Sequence, residues 1–376
     1  VLTIPDALKI DKYIEEHKVK TAVVIGGGYI GLEVIEQLKT RGLDICLLTH
    51  SDQVLSNLDE EMVSIIHKEL KDQGITTYFN ANIARSENYK NKSKLVLENH
   101  LELSELEGEL IILATGVKPN SGLAKSAGLK LGSKGGIRVN KHMQSSDKHI
   151  WAGGDSIEVE NFITKEDDFI PLAGPANRHG HIIADNILGA HSEYKGTVGT
   201  AILKFFDLAI AVTGISEKQA QAKNIRAASI IVHANSHVGY YHGAKPLSIK
   251  LVYSSDNFRI LGAQIIGADG VDKRIDILST AIQHNACVHD LDDLQLAYAP
   301  PYGSARDPIN QIGMIGQNLH EGKLKLIYSQ QIEELDRAFG NFLLAAHNNN
   351  PLLCINSTGW RMPFCRLQLD RTNCMF

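Results

Sequence analysis

Cysteine is scarce in this chain: five residues in 376, at positions 46, 287, 354, 365 and 374, with no Cys-x-x-Cys among them. That spacing excludes a recognisable zinc knuckle or a close redox pair, so no metal site is expected, and it fits a reducing cytoplasm. Cys46 falls within an apolar strand pattern and Cys287 follows a helical one, so each is expected to serve as a small buried apolar residue. Aromatic residues make up only 6% and no stretch approaches about 20 consecutive apolar residues, which argues against a membrane span. Asp6, Lys9 and Asp11 stand where a signal peptide would have its apolar core. Basic excess is also missing, since 38 Lys and Arg face 43 Asp and Glu, and the net charge of -5 excludes a nucleic-acid surface. The chain opens on Val1 and not on methionine, which leads us to expect further sequence upstream.

Hydrophobic residues are plentiful at 43%, enough for two or three cored domains at this length. The most informative stretch is Thr21 to Glu33, where an apolar strand (Val23, Val24, Ile25) runs into Gly26-x-Gly28-x-x-Gly31 and a helix. Such a turn grips a dinucleotide pyrophosphate. Gly26 permits the tight turn, Gly28 lets backbone N–H groups approach the phosphates, and Gly31 lets the helix pack on the strand. Tyr29 and Ile30 lie inside this turn, with Ile30, Val34, Ile35 and Leu38 at helical spacing. A short connecting segment is expected before the first strand, and a second parallel strand over 44–49.

Residues 1–117 are expected to form one Rossmann-like α/β unit, with an amphipathic helix over 60–70 facing inward through Met62, Ile65, Ile66 and Leu70. It closes on a strand over 109–113 and a turn at Gly116. The segment 118–189 carries strand-like runs at 136–139 and 149–155, then a helix ending at Gly189. Residues 196–318 switch to successive strands (201–206, 228–232, 247–253, 260–266) followed by a helix over 273–285, the pattern of an antiparallel α+β domain. The tail, 319–376, is irregular: between Gly340 and Phe376 only Arg361, Arg366, Asp370 and Arg371 carry charge.

Taken together, the glycine turn with Glu33, Ala114-Thr115-Gly116, Trp151-Ala-Gly-Gly-Asp155 and the Ala-Tyr-Ala-Pro-Pro-Tyr-Gly-Ser-Ala-Arg-Asp-Pro run at 297–308 resemble the pyridine nucleotide-disulfide oxidoreductases, and among them the coenzyme A-disulfide reductases. The resemblance covers about residues 1–325. It implies an NAD(P)-binding domain (1–117) inserted in a partial FAD-binding domain (118–189 being its C-terminal half), then a dimerisation domain (196–318). The segment that bears the family's nucleophilic cysteine and first glycine motif has no counterpart in this sequence. FAD and NAD(P)H are the implied cofactors, a small-molecule disulfide the implied substrate, and a homodimer the implied assembly.

Carried over residue by residue, the resemblance implies that Gly154 and Asp155 bind the flavin ribityl chain and that Leu172 and Ala173 offer backbone groups to its ring. The plain alternative for Asp155 is a helix cap. Glu33 would hold the nicotinamide amide, or merely favour a helix dipole from the first turn. Tyr29 would cover the flavin, or simply pack. The acid that usually selects the adenosine ribose is replaced by Thr49, with His50 beside it, leaving NADH and NADPH both open. Tyr240 and Tyr298 resemble the pair that protonates the leaving thiolate, their alternative being interface packing. An NADH oxidase or persulfide reductase on the same frame is the nearest rival reading. Residues 321–332 resemble the start of an appended rhodanese-like domain, of which the tail would be a remnant. A non-catalytic dinucleotide-binding dimer scaffold is the rival from another class.

Overall fold

The computed structural model describes residues 3–89, 92–98, 104–328 and 352–356. Within the tail expected to be irregular, residues 324–328 and 352–356 are instead described as two antiparallel paired strands, while Cys365 and Cys374 lie outside the described residues and of Cys354 only the backbone is described.

Ahead of the first strand stands a helix, α1 (Ile4–His17), where a connecting segment was expected. Thr3 and Asp6 form a reciprocal capping box and Pro5 occupies the first turn, so local chemistry starts a helix that buries only Ile14. The apolar periodicity is weak for that reason. Then follow β1 (Thr21–Ile25), α2 (Tyr29–Thr40), β2 (Asp44–Leu48), α3 (Glu60–Asp72) and β3 (Thr76–Tyr78). A three-stranded antiparallel meander, β4 (Asn82–Tyr89), β5 (Lys92–Glu98) and β6 (Glu105–Gly108), precedes β7 (Leu110–Leu113). The parallel sheet runs β3-β2-β1-β7. β1 is buried on both faces, which is why it reads as an unbroken apolar run. The inner face of α2 is Leu32, Ile35 and Leu38; Ile30, expected to face the sheet, is 42% exposed because it sits in the first turn, beyond the sheet's edge. On α3, Val63 is buried and Ile65 only half-buried.

The middle segment contains α4 (Gly122–Ser126), β8 (Ile137–Arg138), β9 (Ile157–Glu160), β10 (Asp167–Asp168) and α5 (Ala173–Ile187). The strand expected over 149–155 does not form: Trp151 makes one isolated bridge to Gln144, and the chain turns through a 3-10 segment at Gly154–Ser156 before pairing as β9. Apolar character there marks the small core around Met143, Ile157 and Ile182, not ladder pairing.

The last unit is a five-stranded antiparallel sheet, ordered β11 (Ala201–Phe205), β12 (Leu208–Gly214), β15 (Ile260–Gly267), β14 (Pro246–Ser254), β13 (Ala227–Asn235). Also present are α6 (Glu217–Ala222), α7 (Val271–Gln283), α8 (Pro308–His320) and β16 (Leu324–Tyr328). Leu203, Phe205, Ile210 and Ile266 of this sheet share one core with Leu32 and Ile35 of α2 and Met62 of α3. At the same junction Lys250 is buried between Asp59 (3.1 Å), Glu61 (3.1 Å) and Glu217 (2.8 Å). The Gln264 side chain donates to Asp59 Oδ2 at 2.7 Å and accepts from its backbone N–H at 2.9 Å. Among the described residues no helix is long and apolar enough to cross a membrane.

Candidate functional site

The glycine turn lies at the C-terminal edge of the parallel sheet, where β1, β2 and β7 all end. Gly26 has φ +113°, and its N–H donates to Leu48 O at 2.8 Å. A Cβ there would stand 2.3 Å from Ala114 O, and one on Gly31 would stand 1.9 Å from Gly26 O. Both glycines are therefore demanded by the protein's own packing. Gly28 differs: as N-cap of α2 it is exposed, and nothing lies within 4 Å of the Cβ position. Open space sits directly before the helix N-terminus, whose first N–H groups have no intrahelical acceptor.

Around that space, Tyr29 is half-buried against the core and its hydroxyl accepts from Asn57 Nδ2 at 3.1 Å. Burial raises its phenol above the ordinary range, and the Asn57 bond lowers it in part. Ile30 is exposed. Glu33 is exposed and is the fifth residue of α2, one past its first turn, which weakens the helix-dipole alternative. Thr49 is buried, its Oγ1 accepting from Ser51 N–H at 3.3 Å, so the turn itself uses that hydroxyl. His50 is exposed, with Nδ1 2.6 Å from Asn82 Oδ1. Gly116, at φ +107°, is exposed just beyond β7.

A second group of site residues gathers at the 3-10 turn and the start of α5. Gly154 has φ +68°, Asp155 is exposed, and Leu172 and Ala173 form the N-cap and first residue of α5. The N-cap of the 3-10 turn is Gly153, with no side-chain cap bond, so Asp155 is not serving as that element's cap. The residue that joins this turn to α5 is one that sequence reasoning missed, His179. It is buried, and its Nδ1 accepts from Gly154 N–H at 3.2 Å, which leaves the proton on Nε2. Tyr194 meets the ring edge-on at 4.5 Å between centroids. Burial lowers the pKa of His179, with Asp155 acting in the opposite sense.

The third group is the tyrosine pair. The hydroxyls of Tyr240 and Tyr298 stand 3.3 Å apart on loops 58 residues apart in sequence, and both rings are exposed. Tyr298 is raised above the ordinary phenol value, first by the bond to Tyr240. Their hydroxyls bond to each other and not to the glycine turn or the 3-10 turn. Neither described cysteine joins these groups. Burial pushes the Cys46 thiol up to about 12, in line with an inert apolar role. Both cysteines are half-buried, but where Cys46 packs against an apolar core, Cys287 departs from expectation, with its Sγ 3.5 Å from Asn257 O.

Sequence and structure comparisons agree with this geometry. The family described as pyridine nucleotide-disulphide oxidoreductase matches residues 3–180, and its dimerisation domain matches 200–308. The chain is 35% identical over 306 residues to the NAD(P)H sulfur oxidoreductase (CoA-dependent) of Pyrococcus furiosus, covering 81% of this chain and 68% of that protein. It is 36% identical over 319 residues to the coenzyme A disulfide reductase of Staphylococcus epidermidis, covering 84% and 70%. A solved structure, reduced Bacillus anthracis CoADR-RHD, superposes with a TM-score of 0.86 at 42% identity, covering 92% of this chain and 63% of that one. The chain thus spans about two thirds of the curated relatives and less than two thirds of the solved protein. A parallel sheet ending in a complete glycine turn, an antiparallel dimerisation-type sheet and these matches lead to one assignment: the chain belongs to the pyridine nucleotide-disulphide oxidoreductase family.

Proposed function

We propose that this chain serves a flavin-dependent NAD(P)H:disulfide oxidoreductase, a cytoplasmic homodimer whose substrate is a small-molecule disulfide, coenzyme A disulfide first. The observation that carries the reading is the exposed Tyr240–Tyr298 pair on two loops of the dimerisation domain, with hydroxyls 3.3 Å apart. Two phenols so placed, each with an apolar ring and a polar hydroxyl, are suited to a sulfur atom brought by a partner surface.

The residues present fit both cofactors. Open space at Gly28 before a helix N-terminus suits a pyrophosphate, and a free carboxylate at Asp155 beside a left-handed glycine suits a polyol. Bound there, the flavin would supply the electron relay between nicotinamide and disulfide. This chain's own residues hold the two cofactors and supply a proton, while the cysteine thiolate that would attack the disulfide belongs to the family segment with no counterpart in this sequence. First-turn N–H groups of α2 hold the pyrophosphate, and Glu33 accepts from the nicotinamide amide. His179 holds the Gly154 N–H and so fixes the turn that presents Asp155. Tyr298, kept protonated by its bond to Tyr240, donates a proton to the departing thiolate and is reprotonated from solvent.

A second reading, a persulfide or sulfur reductase, draws support from the similarity to the Pyrococcus furiosus protein at almost the same identity. The two are separated by Tyr298→Phe, which removes only a hydroxyl, in the flavin-loaded dimer of an enzyme completed at its N-terminus with the segment that bears the nucleophilic cysteine. Reduction of coenzyme A disulfide, followed by NADH or NADPH consumption, should fall about 100- to 10,000-fold, while flavin reduction by the dinucleotide, read in single turnover, persists. Tyr240→Phe should affect the same step. If both variants reduce coenzyme A disulfide as fast as the parent, the tyrosines are packing and the substrate assignment fails.

A further inference from the structure

Away from these groups, three ligand-type side chains converge on one short turn. The 3-10 turn Val288–Leu291 follows α7 and is anchored by Val288 and Leu291, both fully buried in the core that includes α8. Its backbone is also pinned to the β14–β15 hairpin: Val288 N–H donates to Phe258 O at 2.9 Å, and Cys287 bridges to Arg259. On this fixed base Cys287, His289 and Asp290 each place a ligand atom within 4.8 Å of the other two. Asp290 Oδ2 accepts from Cys287 N–H at 2.7 Å, leaving Oδ1 3.8 Å from Nε2 of His289. Nδ1 of His289 is buried without a hydrogen-bond partner, and the ring stacks on His320 with centroids 5.0 Å apart.

We propose that Cys287, His289 and Asp290 form a mononuclear site for a thiophilic divalent cation, zinc above all, with a position left for water. One sulfur, one ring nitrogen and one carboxylate oxygen are the donor mix of zinc; calcium and magnesium take oxygen ligands. Metal–ligand bonds of about 2.0–2.3 Å place tetrahedral donors roughly 3.3–3.8 Å apart. Metal binding would draw the three donors in from their present separations of up to 4.8 Å by side-chain rotation. As the metal–sulfur bond forms, the thiol proton passes to solvent, and thiolate and carboxylate together neutralise the cation. The reading is independent of the flavin and dinucleotide sites.

The test uses the full chain, stripped with a chelator and titrated with cobalt(II) as a spectroscopic stand-in for zinc, then with zinc in competition. One equivalent should bind, with a thiolate-to-cobalt charge-transfer band in the near ultraviolet. Cys287→Ser should remove the band. Asp290→Asn keeps the acceptor for Cys287 N–H, and His289→Gln changes only a partly exposed ring. Each should weaken binding by more than the roughly 10- to 100-fold that loss of an outer-shell partner costs. Melting curves matching the parent would confirm that the variants fold. Absence of the band in the parent, its persistence in Cys287→Ser, or unchanged affinity in both other variants overturns the proposal.

Discussion

Replacing Gly28 with valine separates the fold of the glycine turn from its use. The backbone there is extended, at φ -82° and ψ -173°, so a β-branched residue meets no conformational penalty. Nothing lies within 4 Å of the added Cβ. Losing glycine at an N-cap costs about 0.5–1 kcal/mol. At roughly 2–4 °C per kcal/mol for a unit of 150–250 residues, the melting midpoint should drop by only a few degrees. The ligand meets a different surface. A valine fills the space through which two backbone N–H groups would reach the pyrophosphate. Charge-assisted bonds of this kind contribute about 1.5–3 kcal/mol each, so the loss is about 3–6 kcal/mol. With 1.4 kcal/mol per factor of ten, binding should weaken roughly 100- to 10,000-fold. Calorimetric titration with NADH and with NADPH, beside a melting curve, reads both quantities. Gly31→Ala is the contrast: its Cβ would stand 1.9 Å from Gly26 O, so the fold itself gives way. Parent-like affinity in Gly28→Val would show that the pyrophosphate is held elsewhere, and gross unfolding would refute the open-space argument.

Two further perturbations address the buried charges. Lys250→Met leaves Asp59, Glu61 and Glu217 facing one another and should lower stability by about 3–5 kcal/mol, as removal of one partner from a buried ion pair does; a melting midpoint within a degree of the parent would contradict this. Burial pushes the Lys250 ammonium down, but Asp59, Glu217 and Glu61 together hold it above its ordinary value. Its contribution is then fully present below about pH 10.4 and lost only as pH climbs through the raised folded value, so this cluster should cause no change in stability between pH 7 and 10. His179 has the opposite sign. With its folded pKa lowered, its contribution is present above about pH 6.5 and is lost as pH falls toward the folded value. Protonation of Nδ1 removes the acceptor for Gly154 N–H, so amide exchange at Gly154 should accelerate in that window, and His179→Gln should flatten the profile. Exchange that ignores pH in the parent beyond the intrinsic dependence would sink this account.

Backbone-dictated features were legible in the sequence. Gly26 and Gly31 are fixed by contacts within a few residues or across one strand, and such contacts leave a spacing that can be read. The five-stranded sheet was readable for four of its strands by alternation; β12 was missed because Leu208–Gly214 follows β11 after a tight turn at Phe206 and looks like its continuation. His179 was not legible, since its role depends on a turn 25 residues earlier folding back against α5. Nor was Asn57, which reaches Tyr29 from a loop without periodicity. Lys250 did leave a signal that went unused: a lone charge between Ile249 and Leu251 in an apolar strand implies buried counter-charges. Cys287, His289 and Asp290 escaped notice because their spacing matches no metal motif, and only the 3-10 turn brings them to one side.

The core shared between α2, α3 and the antiparallel sheet bears on how such chains can be recombined. Leu203, Phe205, Ile210 and Ile266 belong to the same cluster as Leu32, Ile35 and Met62, although the nearest of them is more than a hundred positions further along the chain. A graft that borrows the dinucleotide unit alone would expose one wall of that cluster to water. A chimera joining this unit to a relative's antiparallel sheet would press two halves of different interiors together, and Lys250 would meet whatever groups the donor happens to supply. The dinucleotide unit is contiguous in sequence but not portable, and a workable crossover has to carry β11 to β15 along with it.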